Sequence, residues 1–352
     1  MVEEPAPRLG VSLVICTYNG ASRLPETLHR LHLQQVAPGV SWEVIVVNNA
    51  STDETEAVAK KSWRGRGGVS FTVINEPKPG LTEARARGVR EAKYEIVSFI
   101  DDDNRVSANW VGTLSDLMSS RPEIGACGGM CDPVFESEPP AWFDLYRGNY
   151  VIGTQGARAG DVTEERGWLW GAGLSIRKSV WLRLEEHGFA PMLRDREGEK
   201  LSSCGDIEIS YAIRLAGYRL WYEPSLKIDH LIPGRRLDWN YVLSLYEGVG
   251  AATLSLDCYE QLLAPRADGV RNRLRRTWQY QALASMKLFM GSIVMRRMYT
   301  PGSPEHRKSA CSARFFSARL RALLGMRGRY DASLKAMASA RWISQRPATE
   351  GK

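Results

Sequence analysis

The chain has 352 residues, 43% hydrophobic and 25% charged, enough for one large or two ordinary folded domains and too apolar for wholesale disorder. Six scattered cysteines with no C-x-x-C spacing and only five histidines exclude a disulfide scaffold and argue against a structural zinc site. The net charge of +7 is split unevenly: residues 1–263 hold 28 Lys+Arg against 36 Asp+Glu, and residues 264–352 hold 19 against 4.

A slightly acidic body therefore carries a strongly basic tail, suited either to an anionic surface or to a solvated helical face. The opening MVEEPAPRLG has no basic-then-apolar leader pattern. It predicts a cytoplasmic chain, peripheral at the inner membrane face if the tail meets lipid.

Residues 11–16 (VSLVIC), 43–47 (EVIVV), 71–74 (FTVI) and 95–100 (EIVSFI) read as four strands. Helical spacing separates them, as in Leu24, Leu28, Leu31 and again in Ala84, Val89, Ala92. Alternation of this kind predicts an α/β fold with a mostly parallel sheet covered by helices on both faces. Ser51-x-x-Glu54 predicts a capping box at the second helix. Further on, residues 171–176 (GAGLSI) predict a strand and residues 207–215 a helix that Gly217 ends. Residues 219–222 predict a strand stopped by Pro224.

Beyond Leu237 the pattern is helical and increasingly basic. Its most apolar stretch, residues 281–295, would reach about 22 Å, short of a roughly 30 Å hydrocarbon core. Lys287 interrupts it; Arg271, Arg273, Arg275 and Arg276 precede it, and Arg296 and Arg297 follow. Such a helix either lies on anionic lipid or packs as part of a basic subdomain.

In an open α/β sheet, ligands sit at the carboxyl ends of the strands. The polar clusters after strands one, two and four are thus expected to share one crevice: Thr17-Tyr18-Asn19, Asn48-Asn49 and Asp101-Asp102-Asp103-Asn104. Three adjacent carboxylates need counter-charge, and Mg²⁺ or Mn²⁺ with a bound diphosphate supplies it; an acidic helix-capping turn is the plainer alternative. Asp206, opening the helix at 207–215, suits either a general base facing a cleft or a simple N-terminal helix carboxylate. Trp168, Trp170 and Trp221 suit a sugar-stacking wall or core packing. Cys127 and Cys131 read as ordinary thiols.

Taken in order, VSLVICTYNG, EVIVVNNASTDET, GLTEARARGV, EIVSFIDDDN and GDIEISYAIRLAGYRLWYEPSLKIDH resemble family 2 glycosyltransferases of the GT-A fold over about residues 10–235. The resemblance implies an inverting enzyme using a nucleotide-diphosphate sugar, UDP-linked by default, and a glycan or lipid-linked acceptor. It implies a transferase domain over 1–237, with a nucleotide-binding half at about 10–104 and an acceptor half at about 105–237, followed by a basic helical extension over 238–352.

By the same resemblance Thr17, Tyr18, Asn19, Asn49, Arg85 and Asp102 border the nucleotide. Asp101, Asp103 and His230 hold Mg²⁺ or Mn²⁺, Asp206 is the catalytic base, and Trp170, Gly171, Ala172, Gly173 and Gly205 border the sugars. Two departures stand out: Asn48-Asn49 replaces the usual Asp-Asp, and Gly205 stands where Glu commonly precedes the catalytic aspartate.

Three other readings compete. A nucleotidyltransferase would carry a Gly-rich, basic phosphate loop after the first strand, where CTYNGASR stands instead. A nucleic-acid binder would show a recognised module, and none is expected here. A catalytically degenerate sugar-binding or scaffold protein would fail to bind a nucleotide diphosphate.

Overall fold

The computed structural model describes residues 8–64, 68–193, 195, 204–264 and 274–343; Arg271 and Arg273 lie outside them. In chain order, β1 (Arg8–Thr17), α1 (Leu24–His32), β2 (Trp42–Asn49), α2 (Thr55–Ser62), β3 (Ser70–Glu76), α3 (Leu81–Glu91) and β4 (Tyr94–Asp101) alternate as expected. Then follow β5 (Asn104–Val106), α4 (Trp110–Ser120), β6 (Ile124–Phe135), α5 (Phe143–Tyr146), β7 (Gly160–Asp161), β8 (Ser175–Arg177), α6 (Lys178–Glu186), α7 (Gly205–Leu215) and β9 (Arg219–Ile232). Four more helices follow, the first three of them long: α8 (Trp239–Leu263), α9 (Trp278–Met298), α10 (Pro304–Met326) and α11 (Gly328–Ala338).

The strands form one mixed sheet in the order β3-β2-β1-β4-β8-β6-β9-β5, with β7 on β9. β3, β2, β1 and β4 run parallel, β6 pairs parallel with β9, and the short β5, β7 and β8 are antiparallel to their neighbours. Strand alternation sends Val11, Leu13 and Ile15 to one face, onto Leu24, Leu28 and Leu31 of α1 and Trp110 of α4. Val14 faces the other side, with Ala84 and Val89 of α3, Trp181 of α6 and Ile213 of α7. Both faces of the central strands are therefore dry and helix-covered, which is why β1, β2 and β4 are apolar, while the edge strand β3 is partly exposed. Gly88 lets α3 sit close: a Cβ there would lie 2.3 Å from Val14 Cγ1.

Three expectations are corrected. Residues 171–174 make a turn, with Leu174 N–H donating to Gly171 O at 3.2 Å, so the strand begins only at Ser175. Pro224 does not stop β9; the β6 register jumps between Gly128 and Met130, and the bulge takes up the residue that cannot donate. The capping box at Ser51 does not form: Ser51 Oγ accepts from Asn19 N–H at 2.9 Å, while Asp53 accepts from Thr55 N–H at 3.0 Å.

The C-terminal helices attach through α8. Tyr259 donates to the buried Glu208 of α7 at 2.7 Å. Arg319 of α10 bonds Asp257 at 2.7 Å and Thr253 at 2.8 Å. Gly250 permits the α8–α10 crossing, since a Cβ there would meet Phe315 O at 2.3 Å.

Candidate active site

Register alone brings the carboxyl ends of the parallel strands level. Thr17 pairs with Asn48, Cys16 with Asp101, and Asn49 with Glu76, so the three polar clusters meet at one edge. Asp102 is the knot between them. Its carboxylate accepts from Thr17 Oγ1 at 2.5 Å and from Arg23 Nε and Nη2 at 2.8 Å each; its backbone oxygen accepts from Thr27 Oγ1 at 2.8 Å. Gly20 leaves room for this, because a Cβ there would fall 2.6 Å from Asp102 Oδ2.

Several expected nucleotide-side residues are engaged by neighbouring loops. Asn19 Oδ1 accepts from Thr52 N–H at 2.8 Å, with Asn19 itself at φ 48°, a left-handed turn that asparagine tolerates. Asn49 donates to Lys78 O at 2.7 Å and Glu76 O at 3.2 Å and accepts from Gly80 N–H at 2.8 Å, stapling the loop before α3 to β2. An aspartate could accept but not donate here, which gives the Asn at 49 a structural reason. Asn48 Oδ1, by contrast, is buried with no partner, and Tyr18 is 57% exposed at the rim.

The β5–β9 pairing sets Asn104 opposite His230 and thereby brings His230 to Asp103, Nε2 to Oδ1 at 3.7 Å. Arg236 Nη1 lies 3.1 Å from the other Asp103 oxygen. Burial alone would raise the Asp103 carboxyl, but His230 and Arg236 outweigh it and hold it well below the usual range. Asp101 next door is pushed up to about 6 by burial and then by the Asp103 charge.

Among the described residues no group of three or more His, Cys, Asp and Glu side chains gathers closely enough to hold a metal alone. Mg²⁺ and Mn²⁺ do not need one, since one or two protein ligands with phosphate oxygens and water suffice. Asp103 with His230 fits that requirement; His230 Nδ1 is buried without a partner, and Arg236 supplies the counter-charge.

Asp206 stands in the first turn of α7, half-buried, with Oδ2 accepting from Gly171 N–H at 2.8 Å and Oδ1 from Ile207 N–H at 2.9 Å. Burial raises its carboxyl, and Arg85 and the two N–H groups counter that only in part. Arg85 is buried between carboxylates, 4.0 Å from Asp195, its Nε unpartnered; a Cβ at Gly171 would come within 2.7 Å of it. The missing Glu before Asp206 has a structural counterpart. Both oxygens of Asp195 accept from Gly205 N–H, at 3.1 and 3.0 Å, and fill the space where a side chain at 205 would go. Glu208 faces away and is spent on Met192 N–H, Leu193 N–H and Tyr259 OH.

Beside Asp206, the backbone of Trp170 is held by Gln155 Oε1 at 2.7 Å, and Ala172 and Gly173, the latter at φ 70°, complete the turn. Arg166 lies over the rings of Trp168 and Trp170, at 4.1 and 4.5 Å, and feels the charge of Asp206. Trp221 does not join this wall; it sits at the far end of β9 under Arg121, 4.2 Å away. Cys127 and Cys131 are buried in β6, and burial pushes the Cys131 thiol up to about 12.

Sequence reasoning missed Arg23, Arg166, Asp195 and Arg236. Only Arg166 carried a local signal, the alternation Arg166-x-Trp168-x-Trp170, which aligns side chains in an extended segment. The other three act across long separations.

Residues 12–157 match the family described as Glycosyl transferase family 2. The glucosyl-dolichyl phosphate glucuronosyltransferase of Haloferax volcanii is 24% identical over 271 residues, covering 74% of this chain and 80% of that protein. The dodecaprenyl-phosphate galacturonate synthase of Rhizobium johnstonii is 26% identical over 197 residues, 53% of this chain and 55% of that protein. The solved mannosyltransferase PcManGT from Pyrobaculum calidifontis has a TM-score of 0.50 at 17% identity, covering 97% of this chain and 90% of that one. S. aureus TarS has a TM-score of 0.51 at 16% identity, covering 95% of this chain and 54% of that one. Residues 12–157 thus match family 2 glycosyltransferases, and the chain as a whole shares the fold of solved GT-A transferases and is similar in sequence to curated ones.

Proposed function

We propose that the enzyme is inverting and metal-dependent and moves a sugar from a UDP-sugar to a hydroxyl of a glycan or lipid-linked acceptor. The observation that carries this reading is Asp206: a carboxylate at the cleft, oriented by the Gly171 N–H and raised by burial toward a general base's working range. In the proposed step Asp206 takes the acceptor hydroxyl proton as that oxygen attacks the anomeric carbon. The bond from that carbon to the diphosphate breaks on the opposite face, and the diphosphate leaves with the electron pair. A divalent cation held by Asp103 with His230 would offset charge on the leaving group, with Asp101 beside them but outside the ligand pair.

Thr17, Tyr18, Asn19 and Asp102 shape the nucleotide wall, Asn49 staples the loop before α3, Arg85 faces the phosphates, and Trp170, Gly171, Ala172, Gly173 and Gly205 border the sugars. PcManGT is described in complex with GDP-Man and Mn²⁺, and the two curated relatives are named for dolichyl- and dodecaprenyl-phosphate substrates, which supports the donor and acceptor classes.

Arg166 favours a narrower donor, a uronic acid. Its guanidinium is held by two indoles, and its terminal nitrogens make no hydrogen bond to any described residue. A planar fork of this kind suits a carboxylate, and both relatives are named for uronic-acid transfer.

Calorimetric titration with UDP, GDP and dTDP, with and without Mn²⁺, tests the donor. Metal-dependent binding of one diphosphate, lost in Asp103→Ala, is expected; no binding to any of them would move the reading to a degenerate scaffold. Transfer from UDP-glucuronate over UDP-glucose, with the preference lost in Arg166→Gln, tests the sugar.

A further inference from the structure

The helix α9 turns two serines toward the protein and several of its large apolar residues outward. Ser285 and Ser292 are buried on the protein side, while Leu283 is 72%, Met290 54%, Val294 55% and Met298 72% exposed. These four fall on one stripe of the helix, with Lys287 in its midst. A helix on the surface of a water-soluble body normally shows the reverse, and a contiguous exposed apolar face marks an interaction site.

Charge selects the occupant. α9 contains no Asp or Glu, and Arg275 and Arg276 precede it, Lys287 interrupts it, and Arg296 and Arg297 end it. A second copy of the same face would set these cations against their own kind. Anionic lipid headgroups supply the missing negative charge, and the long Lys and Arg stems can lie on the acyl boundary with their charges at headgroup level. No helix among the described residues is long and apolar enough to cross a membrane, so α9 would lie along the surface.

Its C-terminal end leads back toward Arg236 and Asp103. Beyond Met298 the chain turns into α10, where Arg307 lies 4.6 Å over Trp239 and 5.9 Å over Trp142. Trp239 opens α8 just after Arg236, the residue paired with Asp103.

We propose that α9 docks the enzyme on anionic phospholipid bilayers, with Leu283, Met290, Val294 and Met298 at the acyl boundary. The proposal concerns binding only and stands apart from the identities of donor and acceptor.

Flotation of the full chain with vesicles of phosphatidylcholine alone, or with added phosphatidylglycerol, tests it. Wild type is expected to prefer the anionic vesicles by about tenfold or more and to dissociate in high salt. Met290→Glu with Val294→Glu should cut binding by about tenfold or more without moving the thermal midpoint, since both side chains are exposed. Arg296→Gln with Arg297→Gln should weaken anionic binding and its salt dependence while leaving neutral vesicles unaffected. Equal flotation of wild type and the Glu variant, equal binding to neutral vesicles, no binding, or a dimer in solution that the Glu variant dissolves would each overturn the proposal. Flotation reads no sugar transfer, so its failure leaves the catalytic reading intact.

Discussion

Replacing Gly205 by Ala puts the Asp195 brace to the test. A Cβ at 205 would lie 2.4 Å from Asp195 Oδ2 and 2.9 Å from its Cγ, separations that real Cβ contacts do not show. Asp195 is buried, so it can yield only by giving up its bonds to Gly205 N–H and its pairing with Arg85 at 4.0 Å. Losing a hydrogen bond to a charged group costs about 1.5–3 kcal/mol, and residual overpacking about 1–3 kcal/mol. The helix preference of Ala over Gly offsets at most about 1 kcal/mol. A net loss of roughly 2–5 kcal/mol follows from those three contributions.

Urea unfolding should show the midpoint falling with an unchanged slope. Asp195→Ala made together with Gly205→Ala should cost less than the two singly, with a coupling of about 1 kcal/mol or more. A Gly205→Ala protein as stable as wild type, or strictly additive singles, would refute the argument that Asp195 occupies the place of a side chain at 205.

Asp206→Asn should reduce transfer by about a hundredfold or more while leaving diphosphate binding near wild type; a pre-steady-state turnover assay beside calorimetry separates the two. Because burial raises the Asp206 carboxyl, kcat/KM should fall as pH drops through a value above the ordinary carboxylate one. The same sign makes ionised Asp206 a stability cost: the native state binds that proton more tightly than the unfolded chain, so its contribution weakens as pH rises through the window between the two values. Tyr259→Phe removes a partner of buried Glu208 and should destabilise by about 1.5–3 kcal/mol in urea melts; an unchanged midpoint would mean that Glu208 finds another donor.

The local and periodic features of this protein are legible in its residues alone. The first four strands, the alternation with helices and the meeting of three polar clusters all follow from apolar runs and the rule that parallel strands share a carboxyl edge. The helix at Asp206 and the candidacy of Asp103 were legible for the same reason, because each sits at an element boundary that composition marks.

Which charge neutralises which is settled by the fold. Arg23 reaches Asp102 across 79 positions, and Asp195 reaches Gly205 from a segment that carries no periodic signal. Arg236 meets Asp103 only because β5 and β9 pair. Asn49 reads as a nucleotide-side residue in sequence, yet in the fold its amide is spent on the loop before α3. The outward face of α9 is equally a tertiary fact. A helix with large apolar groups on one side and small ones on the other does not state which side the protein will cover, and here packing against α10 covers the small one. Hydrogen bonds and ion pairs depend on where distant backbones arrive, to within an ångström, and periodicity in one dimension holds no record of that.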